Sequence, residues 1–131
     1  LAVRHDGYWA EGFVRLSRTS DGLDVAAASM LRAMIAAAKP GVSSIELAKA
    51  ADVARGPLKP HPLIATTFGN GIGLSLEEAP QLSSARAAVL EPGGVYSLSA
   101  GVIDGEGGAV VSAMLQVTDT GNSVLWQAVA P

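Results

Sequence analysis

Cysteine is absent from the 131 residues, which removes a disulfide framework, thiolate metal ligands and a thiol nucleophile together. Aromatic residues are scarce at 5%, so the core must be aliphatic and alanine-rich. Charge is sparse as well: nine Lys+Arg against twelve Asp+Glu give a net charge of -3. No basic run is present, and a nucleic-acid or anionic-membrane footprint is not supported. No stretch approaches the roughly 20 apolar residues that a membrane-spanning helix needs; the run over 25–31 stops at Arg32. The first residues carry Arg4, His5 and Asp6 and lack the apolar region of a secretory signal. The expectation is a soluble, cytoplasmic protein. A chain that begins at Leu1 instead of methionine reads as processed, or as a fragment of something longer.

What is present suffices for one ordinary domain over residues 1–131, with 49% hydrophobic residues to bury. Residues 8–16 mix aromatic and aliphatic side chains and predict a strand, and 17–22 are dense in turn formers. Leu23, Met30, Leu31, Met34 and Ile35 recur at helical spacing, which predicts a helix over 23–38 ended by Lys39-Pro40-Gly41. Ser43 and Glu46 fit a capping box opening a second helix over about 45–54. Gly56, Pro57, Pro60 and Pro62 predict a rigid loop. A short apolar strand over 64–68 leads into Gly69-Asn70-Gly71-Ile72-Gly73, and an irregular stretch follows Pro80. Strands are predicted over 95–103, 109–118 and 124–129, separated by turns at 104–108 and 119–122. Strand, two helices and a strand-rich second half indicate an α+β fold, a curved antiparallel sheet backed by helices.

Single motifs carry little. Gly69, Gly71 and Gly73 have neither the G-x-G-x-x-G spacing nor the G-K-[ST] ending of phosphate loops. They read as glycines permitting close backbone approach. His5 and His61 are far apart and outside any H-E-x-x-H, so solvated or capping roles are expected. No G-x-S-x-G elbow exists. Ser97, Ser99 and Ser112 lie in apolar strands as small fillers that satisfy backbone groups. Glu77 and Glu78 are adjacent and cannot point the same way on a strand; a solvated loop is expected for them.

Taken together the strings say more. Gly7-Tyr8-Trp9-Ala10-Glu11 with Arg15, Lys39-Pro40-Gly41-Val42-Ser43, Gly69-Asn70-Gly71-Ile72-Gly73-Leu74, Glu77-Glu78-Ala79-Pro80 and Leu90-Glu91-Pro92-Gly93 come in this order. Ser97-Leu98-Ser99-Ala100-Gly101-Val102, Gly107-Gly108-Ala109-Val110-Val111-Ser112-Ala113 and Val117-Thr118-Asp119-Thr120-Gly121 follow. In order and spacing this set resembles the creatinase/aminopeptidase metallopeptidases, which include methionine aminopeptidase and Xaa-Pro dipeptidase and share the "pita-bread" fold. The resemblance covers nearly the whole chain. It implies a partial pita-bread domain, corresponding to the C-terminal part of a complete one and lacking most of the first half.

Family members hold two metal ions with two aspartates, a histidine and two glutamates. By resemblance the first aspartate falls immediately before Leu1 and the second at Glu11. The histidine position is Asn70, and the glutamate positions are Ser99 and Ser112. The substrate-side histidine position is Glu77. Ala100 and Ala113 replace the proline and aspartate that follow the glutamates. Two divalent ions about 3.5–4 Å apart need several carboxylates to offset their repulsion, and one remains. Amide and hydroxyl oxygens are poor ligands for divalent transition metals. A buried carboxylate cluster without metal would be strongly unfavourable, and Ser and Ala remove it.

The reading is therefore a catalytically inactive metallopeptidase-like domain with no metal or other cofactor and a binding or assembly role. Its candidate site residues are Tyr8, Glu11, Asn70, Glu77, Ser99 and Ser112, for a peptide or small amide; each is otherwise filler in a closed core. A homo-oligomer or a partner domain is expected, because a half-covered sheet leaves an apolar patch. The alternative is an Xaa-Pro dipeptidase or aminopeptidase-type hydrolase completed by missing sequence or a partner. A metal-free hydrolase like creatinase is a variant of it, but creatinase depends on a histidine where this chain has Asn70.

Overall fold

A computed structural model describes residues 1–13, 22–105 and 107–128. Strands β1 (Ala2–His5) and β2 (Tyr8–Glu11) form an antiparallel hairpin. Its two-residue turn has positive φ at Asp6 (48°) and Gly7 (87°), the backbone that an Asp-Gly pair supports. Helices α1 (Gly22–Ala37) and α2 (Ser44–Arg55) follow. Next come β3 (Lys59–Pro60), a 3-10 turn over Pro62–Ile64, β4 (Thr67–Gly71), β5 (Glu78–Ser83), β6 (Val95–Asp104), β7 (Gly107–Val117) and β8 (Asn122–Gln127). The main sheet is antiparallel in the order β5-β4-β6-β7-β8, with β3 also pairing with β6.

The core lies between this sheet and α1. Tyr96, Leu98, Ala100 and Val102 alternate along β6. They register with Leu115, Ala113, Val111 and Ala109 of β7, so both sets point to the helix side, as period-two alternation requires. Against them α1 presents Ala27, Met30, Leu31 and Met34. The small alanines let the helix lie close. From α2, Leu47 and Ala51 complete the cluster.

Side chains distant in sequence hold the helix ends. The capping box forms as expected: Ser43 N donates to Glu46 Oε2 at 2.9 Å, and Glu46 N donates to Ser43 Oγ at 3.4 Å. At the far end of α1, Asn122 Nδ2 donates to the Ile35 and Ala38 carbonyls, both at 2.8 Å. Those carbonyls belong to a helix end, where intrahelical donors run out; the Ile35 carbonyl also accepts Ala38 N at 3.2 Å.

The α+β class and the sheet backed by helices agree with the sequence reading, and four details are corrected. The strand expected over 64–68 is shifted to Thr67–Gly71, because Pro62 opens a 3-10 turn that runs through Ile64. Residues 78–83 are a strand, not part of an irregular stretch after Pro80; β5 is the outermost strand, where a proline is tolerated. The rigid loop over 56–62 contains the short strand β3. Residues 2–5 form a strand that the sequence reading did not assign. Of the strand expected over 8–16, the structure shows 8–11; residues 14–16, the turn over 17–21 and Val129 lie outside the described residues.

Candidate functional site

Register brings three of the candidates together. Ser99 and Ser112 are directly opposite partners across β6 and β7, and Asn70 of β4 pairs with Ser97 of β6. Since i and i+2 share a face, Asn70, Ser97, Ser99 and Ser112 all stand on the face opposite the helices. Ser112 is 1% exposed and Ser99 8%. The two facing glutamate positions implied by the family pattern are thus buried hydroxyls.

Main chain covers this face beside Ser112. The chain leaving β2 passes through Gly12 and Phe13, and Phe13 N donates to Ser112 Oγ at 2.6 Å. Gly12 is buried and lies so close to the Trp126 ring that no side chain fits there. Glu11, one residue earlier, is half-buried. Leu1 and Gly12 exchange backbone bonds, Gly12 N to Leu1 O at 2.8 Å and the Leu1 amino group to Gly12 O at 2.9 Å. The hairpin is tied to the sheet by Trp9 N donating to Gly73 O at 2.7 Å.

Asn70 is committed locally. Its Nδ2 donates to Gly71 O at 2.7 Å and Leu76 O at 3.2 Å, which holds the turn between β4 and β5. Gly71 itself is needed there, because an added Cβ would meet Ala79 O at 2.7 Å. Gly69 and Gly71 are strand residues, and no helix opens behind them to receive a phosphate.

Tyr8 and Glu77 are placed differently. Tyr8 is 63% exposed and borders an open groove of about 1110 Å3, together with Gly73, Leu74, Glu78, Arg86 and Val95. Glu77 is exposed at the turn before β5, as a solvated residue. Glu78 departs from the expected loop: it opens β5, is half-buried, and accepts Ser75 N on Oε1 at 2.7 Å.

His61 adds to the site face. It caps the 3-10 turn, its Nδ1 accepting Leu63 N at 3.3 Å, as a capping role would have it. It also packs beside Gly101 and Gly108, and Gly101 shares a face with Ser99. Sequence spacing hid this neighbour, because the 3-10 turn folds the proline-flanked loop back onto β6.

These residues do not fit a pair of divalent ions. Ser99 and Ser112 are neutral, Ser112 already accepts an amide proton, and the Asn70 amide is engaged in its turn. Among the described residues no cluster of three or more His, Cys, Asp or Glu side chains could hold a metal.

The family model of metallopeptidase family M24 matches residues 23–119, from the second residue of α1 to the turn after β7. The chain belongs to family M24. Its fold is shared with the X-Pro aminopeptidase from Thermotoga maritima MSB8, at TM-score 0.82 and 19% identity over 99% of this chain and 39% of that one. The Xaa-Pro dipeptidase from Bacillus anthracis is similar at TM-score 0.73 and 26% identity, covering 90% and 35%. Methionine aminopeptidase from Rickettsia prowazekii matches at TM-score 0.78 and 14% identity, covering 94% and 60%. A search of curated proteins by sequence returns no match. This M24 domain therefore spans between about a third and three fifths of these relatives, and is a partial pita-bread-like domain. No helix among the described residues is long and apolar enough to cross a membrane.

Proposed function

We propose that this M24 domain is catalytically inactive and serves a binding or assembly role, with a peptide or small amide taken up in the groove beside Tyr8. The observation that carries the reading is the Ser99–Ser112 pair: two neutral, buried hydroxyls face each other where the family pattern sets two glutamates. Without carboxylates there, no ion is held to activate water or polarise a carbonyl. Asn70 has no proton to exchange with a substrate near neutral pH, so general acid-base work is not available from it.

The groove supports binding. Its lining includes apolar Leu74 and Val95, and Glu78 and Arg86 supply opposite charges, a pairing suited to the two ends of a short peptide. For assembly we propose a second copy against β8. Among the described residues that strand is an edge, its sequence Asn122–Gln127 has no charged residue, and Val124, Leu125 and Trp126 are all exposed. Two such edges can meet without repulsion, and edges lacking charge are prone to pair.

The test is elemental analysis after purification with manganese, cobalt or zinc, together with assays on Xaa-Pro dipeptides and methionyl peptides. The expected result is no stoichiometric metal and no turnover. Bound metal with turnover would overturn the reading in favour of a hydrolase. Sedimentation at tens of micromolar, a range that detects moderate association, addresses the second copy; a stable monomer removes that part.

A further inference from the structure

A second recess lies on the helix side of the sheet, between α1, α2, the Pro62–Ile64 turn and β4. It measures about 230 Å3, and Met30, Met34, Ile64 and Phe68 give it an apolar wall. Among the described residues β6 has no strand partner on this edge between Leu98, paired with Gly69, and Val102, paired with Pro60, though His61 N donates to Gly101 O at 3.0 Å. Ser99, within that interval, also borders the recess.

Among the described residues that line it, the recess holds one cation, Arg55, and one carboxylate, Asp52. Arg55, the last residue of α2, lines it with a side chain only 19% exposed. Its Nη2 meets Asp52 Oδ1 at 2.9 Å, but Asp52 is 61% exposed, so this pair is solvent-screened and weakly held. Arg55 Nε is buried with no hydrogen-bond partner among the described residues. A guanidinium offers five N–H donors in a planar fork that matches a carboxylate. Leaving a buried donor unpaired is unfavourable, and native structures rarely tolerate it without an absent partner.

We propose that this recess binds a small monocarboxylate with an apolar body. The carboxylate meets the Arg55 guanidinium, displacing Asp52 toward solvent and drawing the fork into the recess, where Nε gains an acceptor. The body rests on Met30, Met34 and Phe68. The weakly polar wall strengthens the charged hydrogen bonds, and the two flexible thioethers adjust to the body's shape. Once Asp52 is displaced toward solvent, the single Arg55 cation balances one negative charge and no more, so a phosphate is disfavoured. This site is separate from the groove, and although Ser99 borders it, the proposal makes no use of the Ser99–Ser112 pair.

The test uses benzoate as probe, with methionine methyl resonances as reporters. Met30 and Met34 line the recess, whereas Met114 pairs with Trp126 and Ser97 elsewhere on β7 and is an internal control. Saturable shifts at Met30 and Met34, with Met114 unmoved, are expected. Neutral benzamide should bind about tenfold more weakly, the difference a charge-assisted bidentate pair supplies. Arg55→Gln should weaken benzoate by a similar factor, Asp52→Asn should tighten it, and Ala48→Leu should fill the recess and abolish the shifts. Equal binding of benzoate and benzamide, shifts centred on Met114, or no binding at about 10 mM, well above weak small-ligand affinities, would each overturn the proposal. The benzamide comparison needs no variant and stands even if Arg55→Gln fails to fold.

Discussion

The Ser112 hydroxyl accepts the Phe13 amide proton at 2.6 Å, a contact between residues 99 apart in the chain. It fastens the segment that leaves the N-terminal hairpin onto the face of β7 where the family pattern sets a metal-binding glutamate. By resemblance, a hydroxyl that holds backbone stands where family members carry a chelating carboxylate.

Ser112→Ala should therefore loosen the hairpin. A hydrogen bond of this kind contributes about 1 kcal/mol, and the loss should show in chemical denaturation and as faster exchange at the Phe13 amide. Ser99→Ala is the control. The Ser99 side chain makes no hydrogen bond among the described residues, so its removal should change stability by less than about 0.5 kcal/mol. Equal effects of the two substitutions would show that Ser112 is only packing.

Gly12 is where the same segment meets Trp126. An added methyl collides with the indole ring, and overpacking of a close contact is unfavourable by about 1–3 kcal/mol. Gly12→Ala should displace Trp126, read as a change in its emission in a Trp9→Phe background, because the chain has two tryptophans. Adding Trp126→Ala should recover part of the loss, since the two sites are coupled. Unchanged emission would mean that the chain does not cross Trp126 in solution.

Elements set by local chemistry were legible. The α2 cap needs only Ser43 and Glu46 three residues apart, and the apolar spacing of α1 runs along one helix face. The hairpin at Asp6–Gly7 carried a readable signal too, an Asp-Gly pair between extended residues, which the strand assigned over 8–16 passed over. β5 was hidden because Glu77, Glu78 and Pro80 look like a loop; only its place at the sheet edge makes a proline acceptable. Of the candidate positions taken from the family pattern, Asn70, Ser99 and Ser112 come to one face of the sheet while Tyr8 and Glu77 do not join them, and their bonds were not legible. That Ser112 bonds Phe13, that Asn70 spends its amide on Leu76, and that Asn122 caps α1 depend on contacts between residues remote in sequence or on turn geometry. Hydrophobic periodicity does not encode either.

Ser44 shows how such contacts outweigh local ones. It is fully buried at the first turn of α2. Its Oγ donates to Arg86 O at 3.0 Å and accepts Ala88 N at 3.1 Å, while Ser44 N donates to Ala88 O at 2.7 Å. Residues 86–88 line the groove. Ser44→Ala removes the partner of two backbone groups at once, a loss of about 1–3 kcal/mol. Faster amide exchange over 86–88 should accompany it, with weaker peptide uptake if the groove is the binding surface. Wild-type exchange at the Ala88 amide would remove Ser44 as the clasp.

Glu46 gives the fold an acid-side dependence. Hydrogen bonds from the Ser43 backbone and then its side chain hold the Glu46 carboxyl below the usual carboxylate range. Because the folded value is depressed, the stabilisation is fully present above the ordinary glutamate pKa. It is lost as pH falls through the folded value, where the carboxylate takes a proton and the cap weakens. Helix stability should thus decline on the acid side in wild type, and Glu46→Gln should flatten that limb and lower the neutral-to-basic plateau, where the carboxylate contributes. Ser43→Ala should lower the plateau by about 1 kcal/mol and raise the Glu46 pKa only part-way. The Ser43 N–H to Glu46 Oε2 bond at 2.9 Å comes from the backbone and survives the substitution. A carboxyl NMR titration of Glu46 in the two proteins separates these contributions; an identical Glu46 pKa in both would assign the whole depression to the backbone donor.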